Sequence, residues 1–295
     1  MANDARRQEL LTRLRHGLLI KDGAMGTTLS AAGHSGQSLE MLNIEQPDRV
    51  KALHAAYVTA GSKMVETNTF QGNRIALERH GLGDRAQELN RAGAALAREA
   101  VGEQIYVAGS IGPSGGILEP YGDLDPEVAR AAFAEQAAAL AEGGVDLLVL
   151  ETFSALEEIL LALEGALATG LPVVASMAFD PNGRTAFGVP PERAAKALEA
   201  GGASVVGANC GTISPTEMVG IIVQFRQATS LPLMAQPNAG RPERVEGGVR
   251  FPEAPTAFAG AAPQLHQAGA ALIGGCCGTT PEHIRQVVAR LSTAE

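Results

Sequence analysis

Three cysteines carry the first chemical signal in this chain. Cys210 lies in Gly-Ala-Asn-Cys-Gly (207–211), and Cys276 and Cys277 stand side by side in Gly-Gly-Cys-Cys-Gly (274–278). Neighbouring cysteines do not pair with each other, because a disulfide needs Cα atoms about 4.4–6.8 Å apart and a trans peptide holds them at about 3.8 Å. Three cysteines in 295 residues also make no disulfide framework. A lone cysteine reads as a small buried hydrophobe, but three that converge make a zinc site. Zn²⁺ takes thiolates at about 2.3 Å in a tetrahedral arrangement, and three protein ligands leave the open position that catalytic zinc requires. The ion itself deprotonates the thiols. Glycines 211, 274, 275 and 278 let the backbone bend close to it.

Those cysteines can converge only if the chain brings them together. Short apolar runs recur at 17–22, 62–68, 105–110, 145–151, 172–179, 203–209, 232–238 and 270–276. Amphipathic Ala/Leu-rich stretches separate them. Pro47-Asp48 opens one helix through Tyr57, with Gly61 closing it. Asp125-Pro126-Glu127 opens another that ends at Gly143-Gly144. Thr280 as N-cap and Pro281 at the first helical position open the last. Most of the apolar runs are continuous rather than alternating, which implies burial on both faces of a parallel sheet. Eight strand–helix units predict an α/β fold, a (β/α)₈ TIM barrel, as a single domain over 1–295. The rival, an open doubly wound sheet, needs a glycine fingerprint that Gly23-Ala24-Met25-Gly26 does not supply.

Barrel chemistry sits at the carboxyl ends of the strands. The runs end in Asp22, Glu66-Thr67-Asn68, Gly109-Ser110, Glu151-Thr152, Asn209-Cys210, Gln236-Pro237-Asn238 and Cys276-Cys277. All three cysteines therefore fall at the ends of strands six and eight, with Asn238 on the strand between. None of the six histidines (16, 34, 54, 80, 266, 283) ends a strand to close the coordination sphere; His283 reads as a solvated or supporting residue in the last helix. Zinc with three thiolates carries a net charge near −1. It is a poor Lewis acid but suits a fourth thiolate from a substrate, whose thiol pKa of about 8.5 it overcomes at neutral pH. The implied reaction is S-alkylation of a thiol. Glu151 and Asp22 suit an ammonium group. The loop after Asp22 (Gly23, Ala24 and on to Thr28) offers backbone N–H groups and hydroxyls to a carboxylate. Glu66 and Asn68 share one side of their strand, either lining the mouth or forming a structural pair. The four lysines, 21, 51, 63 and 196, read as ending no strand, which argues against a Schiff-base enzyme.

The segments DGAMGTTL (22–29), VETNTF (65–70), GSIGPSG (109–115), LETFS (150–154), GANCG (207–211), QPNAG (236–240) and GGCCGTTPEHI (274–284) together resemble the homocysteine S-methyltransferase family over roughly residues 10–290. Within it they are most similar to the homocysteine-binding module of cobalamin-dependent methionine synthase. The resemblance implies Cys210, Cys276 and Cys277 as zinc ligands, one ion per chain. It implies that Glu151 and the Asp22-Gly23-Ala24 loop hold the amino-acid end of homocysteine, with Asn68 and Ser110 as further substrate-binding residues. Asn238 then matches a position that approaches zinc when substrate is absent. The expected reaction is attack of the zinc-held homocysteine thiolate on a methyl group, giving methionine. The donor is methylcobalamin or another methyl-corrinoid or methylfolate system. Alternatives are S-methylmethionine or betaine as donor, another thiol or selenol acceptor, or a non-catalytic zinc-binding module.

The full synthase continues into folate, cobalamin and activation domains, whereas this sequence ends at Glu295. It reads as a stand-alone enzyme, a separate subunit or a fragment. Its glycine- and proline-rich loops at 110–123, 179–188 and 237–253 either receive a corrinoid- or folate-bearing partner or simply cover the barrel top. The net charge of −9, with no basic patch beyond Arg13–His16, argues against nucleic acid. The N-terminus lacks a signal-peptide core, and no run of 18 apolar residues offers a membrane span. Free thiols and the absence of targeting signals point to the cytoplasm.

Overall fold

Eight short parallel strands enclose one interior in the computed structural model, which describes residues 2–33, 38–246 and 248–292; His34 lies outside them. They are β1 (Leu19–Ile20), β2 (Met64–Glu66), β3 (Tyr106–Ile111), β4 (Leu147–Phe153), β5 (Val173–Met177), β6 (Val205–Asn209), β7 (Leu233–Gln236) and, after a hairpin of β8 (Glu243–Val245) and β9 (Gly248–Arg250), β10 (Ala270–Ile273). The ladder runs β1-β10-β7-β6-β5-β4-β3-β2. A parallel bridge between Lys21 and Met64 closes the ring. Lys63 N donates to Ile20 O at 2.8 Å there, and Asp22 N to Met64 O at 3.0 Å. This is the expected (β/α)₈ barrel.

Side chains alternate across each strand. Val65, Val107, Leu148, Val173, Val206, Leu233 and Ile273 face the helices. Leu19, Met64, Tyr106, Leu147, Val149, Val174, Val205, Met234 and Leu272 form a separate cluster inside the ring. Both faces are dry, which is why the strands read as continuous apolar runs. One layer further toward the carboxyl ends the interior turns polar, with Lys21, Glu66, Ser110, Glu151, Ser176, Asn209 and Gln236 all buried. Hydrocarbon below and polar groups above divide the ring into a floor and a working layer.

The helix Ala2–His16 closes the amino end of the ring. Leu10 and Leu14 join the interior cluster, fully buried, while Arg13, Arg15 and His16 are exposed, as their reading as a solvated face implies. Arg6 fixes the helix in place: Nε lies 2.6 Å from Asp146 Oδ1, Nη2 donates to Ile105 O at 2.8 Å, and the guanidinium stacks over Tyr106. The expected helix starts are present. Asp125 Oδ1 accepts from Glu127 N at 2.7 Å at the head of Pro126–Glu142, and Pro47 and Pro281 occupy first-turn positions.

Two features depart from the sequence reading. The regular strands are shorter than the apolar runs, because the chain leaves the ladder where the chemistry begins; β10 stops at Ile273, before the glycine pair. The loop at 237–253 also contains the solvent-exposed antiparallel hairpin β8–β9, in which Val245 pairs with Gly248 and Glu243 with Arg250. Leu14→Ala is expected to destabilise the protein by about 2–5 kcal/mol in denaturant unfolding, the cost of emptying a buried leucine site, while the metal content of the remaining folded protein stays unchanged.

Candidate functional site

The three cysteines meet at the carboxyl mouth of the ring. Cys210 follows β6, Cys276 and Cys277 follow β10, and their sulfurs all lie within 4.8 Å of one another. The Cys210 and Cys277 sulfurs are 4.0 Å apart. A tetrahedral zinc site with bonds of about 2.3 Å places its sulfurs about 3.8 Å apart, so the set needs only a slight contraction. The proton chemistry fits as well. Hydrogen bonds from Cys276 and Cys277 draw Cys210 well below the ordinary thiol range. The same bonds hold protons on the donors, pushing Cys277 up to about 12 and Cys276 well above its usual value. Without a cation one of the three ionises; a divalent ion lets all three do so. Asn238 stands behind, 1% exposed. Its Nδ2 donates to Gly211 O at 2.9 Å, and its buried Oδ1 has no hydrogen-bond partner among the described residues. That oxygen is an acceptor suited to a metal.

Local backbone geometry serves this convergence. Cys210 adopts a left-handed φ of 54° and Thr152 one of 64°, the two positive-φ residues other than glycine among those described. Such conformations cost of order 1–3 kcal/mol and persist where the surroundings enforce them. The β4–β5 register breaks between Leu150 and Phe153, on either side of Glu151 and Thr152. Gly278 (φ 77°) follows the cysteine pair with Phe251 packed on it; a Cβ there would lie 2.3 Å from Phe251 Cβ. Phe251 lies just past the hairpin, whose return strand is tied down by Glu253 N donating to Ala239 O and Ala239 N donating to Cys277 O, both at 2.9 Å. His283 is buried rather than solvated. Its Nδ1 accepts from Thr280 N at 3.2 Å, which leaves Nε2 to donate to Glu253 O at 3.1 Å.

The Asp22–Met25 loop and the start of the helix Gly26–Ala31 are stitched directly to the cysteine loop. Gly275 N donates to Asp22 O at 3.0 Å. Thr279 Oγ1 accepts from Ala24 N at 3.0 Å and donates to Cys276 O at 2.7 Å. Tyr57 OH donates to Ala24 O at 2.8 Å, and Gly278 N to Thr27 Oγ1 at 3.0 Å. The Ala24 N–H is thus committed to Thr279.

A cavity of about 410 Å³ opens beside the sulfurs, lined by Gly23, Ala24, Asn68, Ser110, Glu151 and all three cysteines, among others. Asp22 and Asn238 lie behind this lining. Asn68 faces the cavity with both amide hydrogens engaged, by Leu39 O at 2.7 Å and Asn43 Oδ1 at 3.1 Å. Ser110 Oγ donates to Glu151 Oε1 at 2.5 Å.

Sequence reading missed one charge here. Lys21 does stand at the end of β1, fully buried, with Nζ 2.6 Å from Glu66 Oε1 and 3.9 Å from Asp22 Oδ1. The β1 run is too short and too mixed to show which way its side chains face. Gly274 makes the room: a Cβ there would lie 2.3 Å from Lys21 Cγ. Burial opposes the ammonium, but Glu66, Asp22 and Glu151 outweigh it and raise its pKa. One cation against three carboxylates leaves an excess of negative charge. Burial, with Glu66 as a like charge, pushes both Asp22 and Glu151 up to about 8. Asp22 Oδ1 and Gln236 Oε1 are buried acceptors with no hydrogen-bond partner among the described residues. A layer of unsatisfied acceptors and excess carboxylate is complementary to an ammonium group. Gln236, which lines the cavity and donates to Glu66 Oε2 at 3.2 Å, is a second residue sequence reading left out.

Known proteins are similar to this chain in sequence and fold. A family model described as homocysteine S-methyltransferase matches residues 19–291. The methionine synthase of Mycobacterium tuberculosis is 34% identical over 305 residues, covering 96% of this chain and 25% of that protein. That of Mycobacterium leprae is 33% identical with the same coverage. The chain thus spans about a quarter of the length of these curated relatives. The metallated form of the homocysteine methyltransferase MmuM from Escherichia coli superposes with a TM-score of 0.78 at 27% identity, covering 94% of this chain and 97% of that one. No helix of the described residues is long and apolar enough to cross a membrane.

The raised carboxylates fix a pH dependence. Folded Glu151 keeps its proton up to about pH 8, whereas the unfolded chain releases it near 4.3. The chelated protein therefore loses stability as pH rises through that window. Glu151→Gln is expected to stabilise it by at least about 1 kcal/mol at pH 8 and to leave it unchanged at pH 4, read by denaturant unfolding at both values.

Proposed function

The chain belongs to the homocysteine S-methyltransferase family, and from that premise we propose that it binds one zinc ion through Cys210, Cys276 and Cys277 and methylates homocysteine to methionine. One observation carries the reading: three sulfurs within 4.8 Å of one another, on a cavity that Glu66 and Glu151 also line. Zinc bound there would supply a thiolate from a substrate thiol at neutral pH, while the charge of three cysteine thiolates keeps that sulfur nucleophilic.

The chain's own residues do the rest. Glu151, with its proton displaced, takes the substrate ammonium, backed by Asp22 and the free oxygen of Gln236. Ser110 donates to Glu151 Oε1 and orients the carboxylate. Gly23 and its neighbours flank the substrate carboxylate, with Ala24 acting through its position, because its N–H is held by Thr279. Asn68 shapes the wall. Asn238, whose side chain reaches Cys210, would approach the ion when no thiol is present. Lys21 holds Glu66 in place, so that a net negative layer forms without the charge of three unpaired carboxylates. Methionine carries a neutral thioether, a weak ligand that can leave.

For the donor we favour methylcobalamin or a methyl-corrinoid or methylfolate system, delivered by a partner domain or protein. Ile117, Tyr121, Phe187, Val245 and Val249 are exposed on the three long loops at the mouth, with Tyr121 89% exposed. Exposed apolar side chains on each of these loops suit a docking partner. We take residues 1–295 as one homocysteine-binding domain working in the cytoplasm, where its thiols stay reduced.

The test is methionine formation by purified protein given homocysteine and methylcobalamin, beside a chelator-treated control. Methionine is expected only in the zinc-loaded sample. Its absence from a sample holding one zinc per chain would reject the corrinoid donor and turn the assay to S-methylmethionine and betaine. Cys276→Ser is expected to lose metal and turnover together; a variant that keeps full turnover overturns the assignment of the ligands.

A further inference from the structure

Asn209, the last residue of β6, is fully buried and makes contacts in two directions. Its amide cannot be turned over. Thr152 N–H, a donor fixed in the backbone, points at Oδ1 from 2.8 Å, and Ser176 Oγ donates to the same oxygen at 2.8 Å. Nδ2 therefore faces the site. It donates to Thr152 Oγ1 at 2.7 Å and lies 3.3 Å from Glu151 Oε2 and 3.9 Å from Cys276 Sγ. One nitrogen thus lies between a carboxylate and a sulfur of the same cavity. The same side chain grips both polar groups of Thr152, whose left-handed backbone directs the end of β4.

We propose that Asn209 is a positioning residue that fixes the distance between Glu151 and the sulfur cluster, and so selects an amino thiol with two carbons, rather than one, between its amine-bearing carbon and its sulfur. The inference rests on the reading of Glu151 as ammonium acceptor and of the cysteines as metal ligands. An acceptor held at both ends must match the span between them. Cysteine is shorter than homocysteine by one methylene. A misplacement of about 1 Å at a reacting centre costs on the order of 100-fold, and one methylene is worth roughly 10–200-fold in discrimination. A rigid span makes that loss unavoidable. A loose one lets Glu151 follow the shorter ligand.

The test uses the full chain loaded with Co²⁺, whose thiolate charge-transfer band reports a fourth sulfur without any turnover. Homocysteine and cysteine are titrated separately into wild type, Asn209→Ala and Ser176→Ala, and methyl transfer to each thiol is measured on the zinc forms. Wild type is expected to prefer homocysteine by at least about tenfold. Asn209→Ala should keep one metal per chain and bring the two affinities to within about threefold. Ser176→Ala, which removes one bond to Oδ1 and leaves Nδ2 in place, should keep the wild-type preference. Asn209→Ser, whose hydroxyl can still take the Thr152 N–H, replaces the alanine variant if that one does not fold. An Asn209 variant that retains the preference and the wild-type band makes the residue a brace for the turn and overturns the proposal. A wild-type protein whose cobalt takes up neither thiol overturns the reading beneath it instead, and the two failures are told apart by that control.

Discussion

A buried layer holding more carboxylates than cations governs this site. Asp22, Glu66 and Glu151 face a single lysine inside a ring whose floor is hydrocarbon and whose outer wall is packed with helices. Burial leaves the layer little water to stabilise the surplus charge, so protons or a ligand must. The ligand that satisfies it is a cation small enough for the cavity. The sulfur cluster has a related requirement: three thiols that cannot all ionise unless a positive ion joins them. Two neighbouring deficits of positive charge, one suited to an ammonium and one to a metal, are what the proposed amino thiol substrate would meet at the mouth.

The ring and the cluster were legible in the sequence for a simple reason. Eight apolar runs with helical stretches between them leave few topologies, and the parallel barrel places every run's end on one face. Once that is granted, Cys210 and the Cys276–Cys277 pair must approach each other. Lys21 escaped because β1 has two ladder residues, so alternation could not show which way the lysine points, and because a lysine inside a barrel contradicts the burial habit of its type. Gln236 and Asn209 escaped because amides carry no charge pattern. Their roles come from which of their two ends is already bound, and that is visible only in three dimensions. Ala24 went the other way: its N–H seemed free in the sequence and is taken by a threonine 255 residues away.

The loops that bear the candidate ligands and the candidate amino-acid contacts form one hydrogen-bonded unit through Thr279, Tyr57 and the Asp22 carbonyl. Neither loop is long, and each is anchored by a strand that belongs to the ring. The barrel's closure between β1 and β2 and the placement of the cysteines beside the cavity are therefore the same structural event, since β1 is neighbour to β10 on one side and to β2 on the other. A lesion in either strand is felt by both halves of the site.

The hairpin β8–β9 is exposed along both strands, yet Phe251 at its foot rests on Gly278 and the segment that follows it is bonded through Ala239 to the Cys277 carbonyl. Glycine leaves no side chain to cushion that contact. The hairpin is in effect a lever with its short arm on the cysteine loop, and a force applied at its exposed tip arrives, with little slack, one residue from a sulfur.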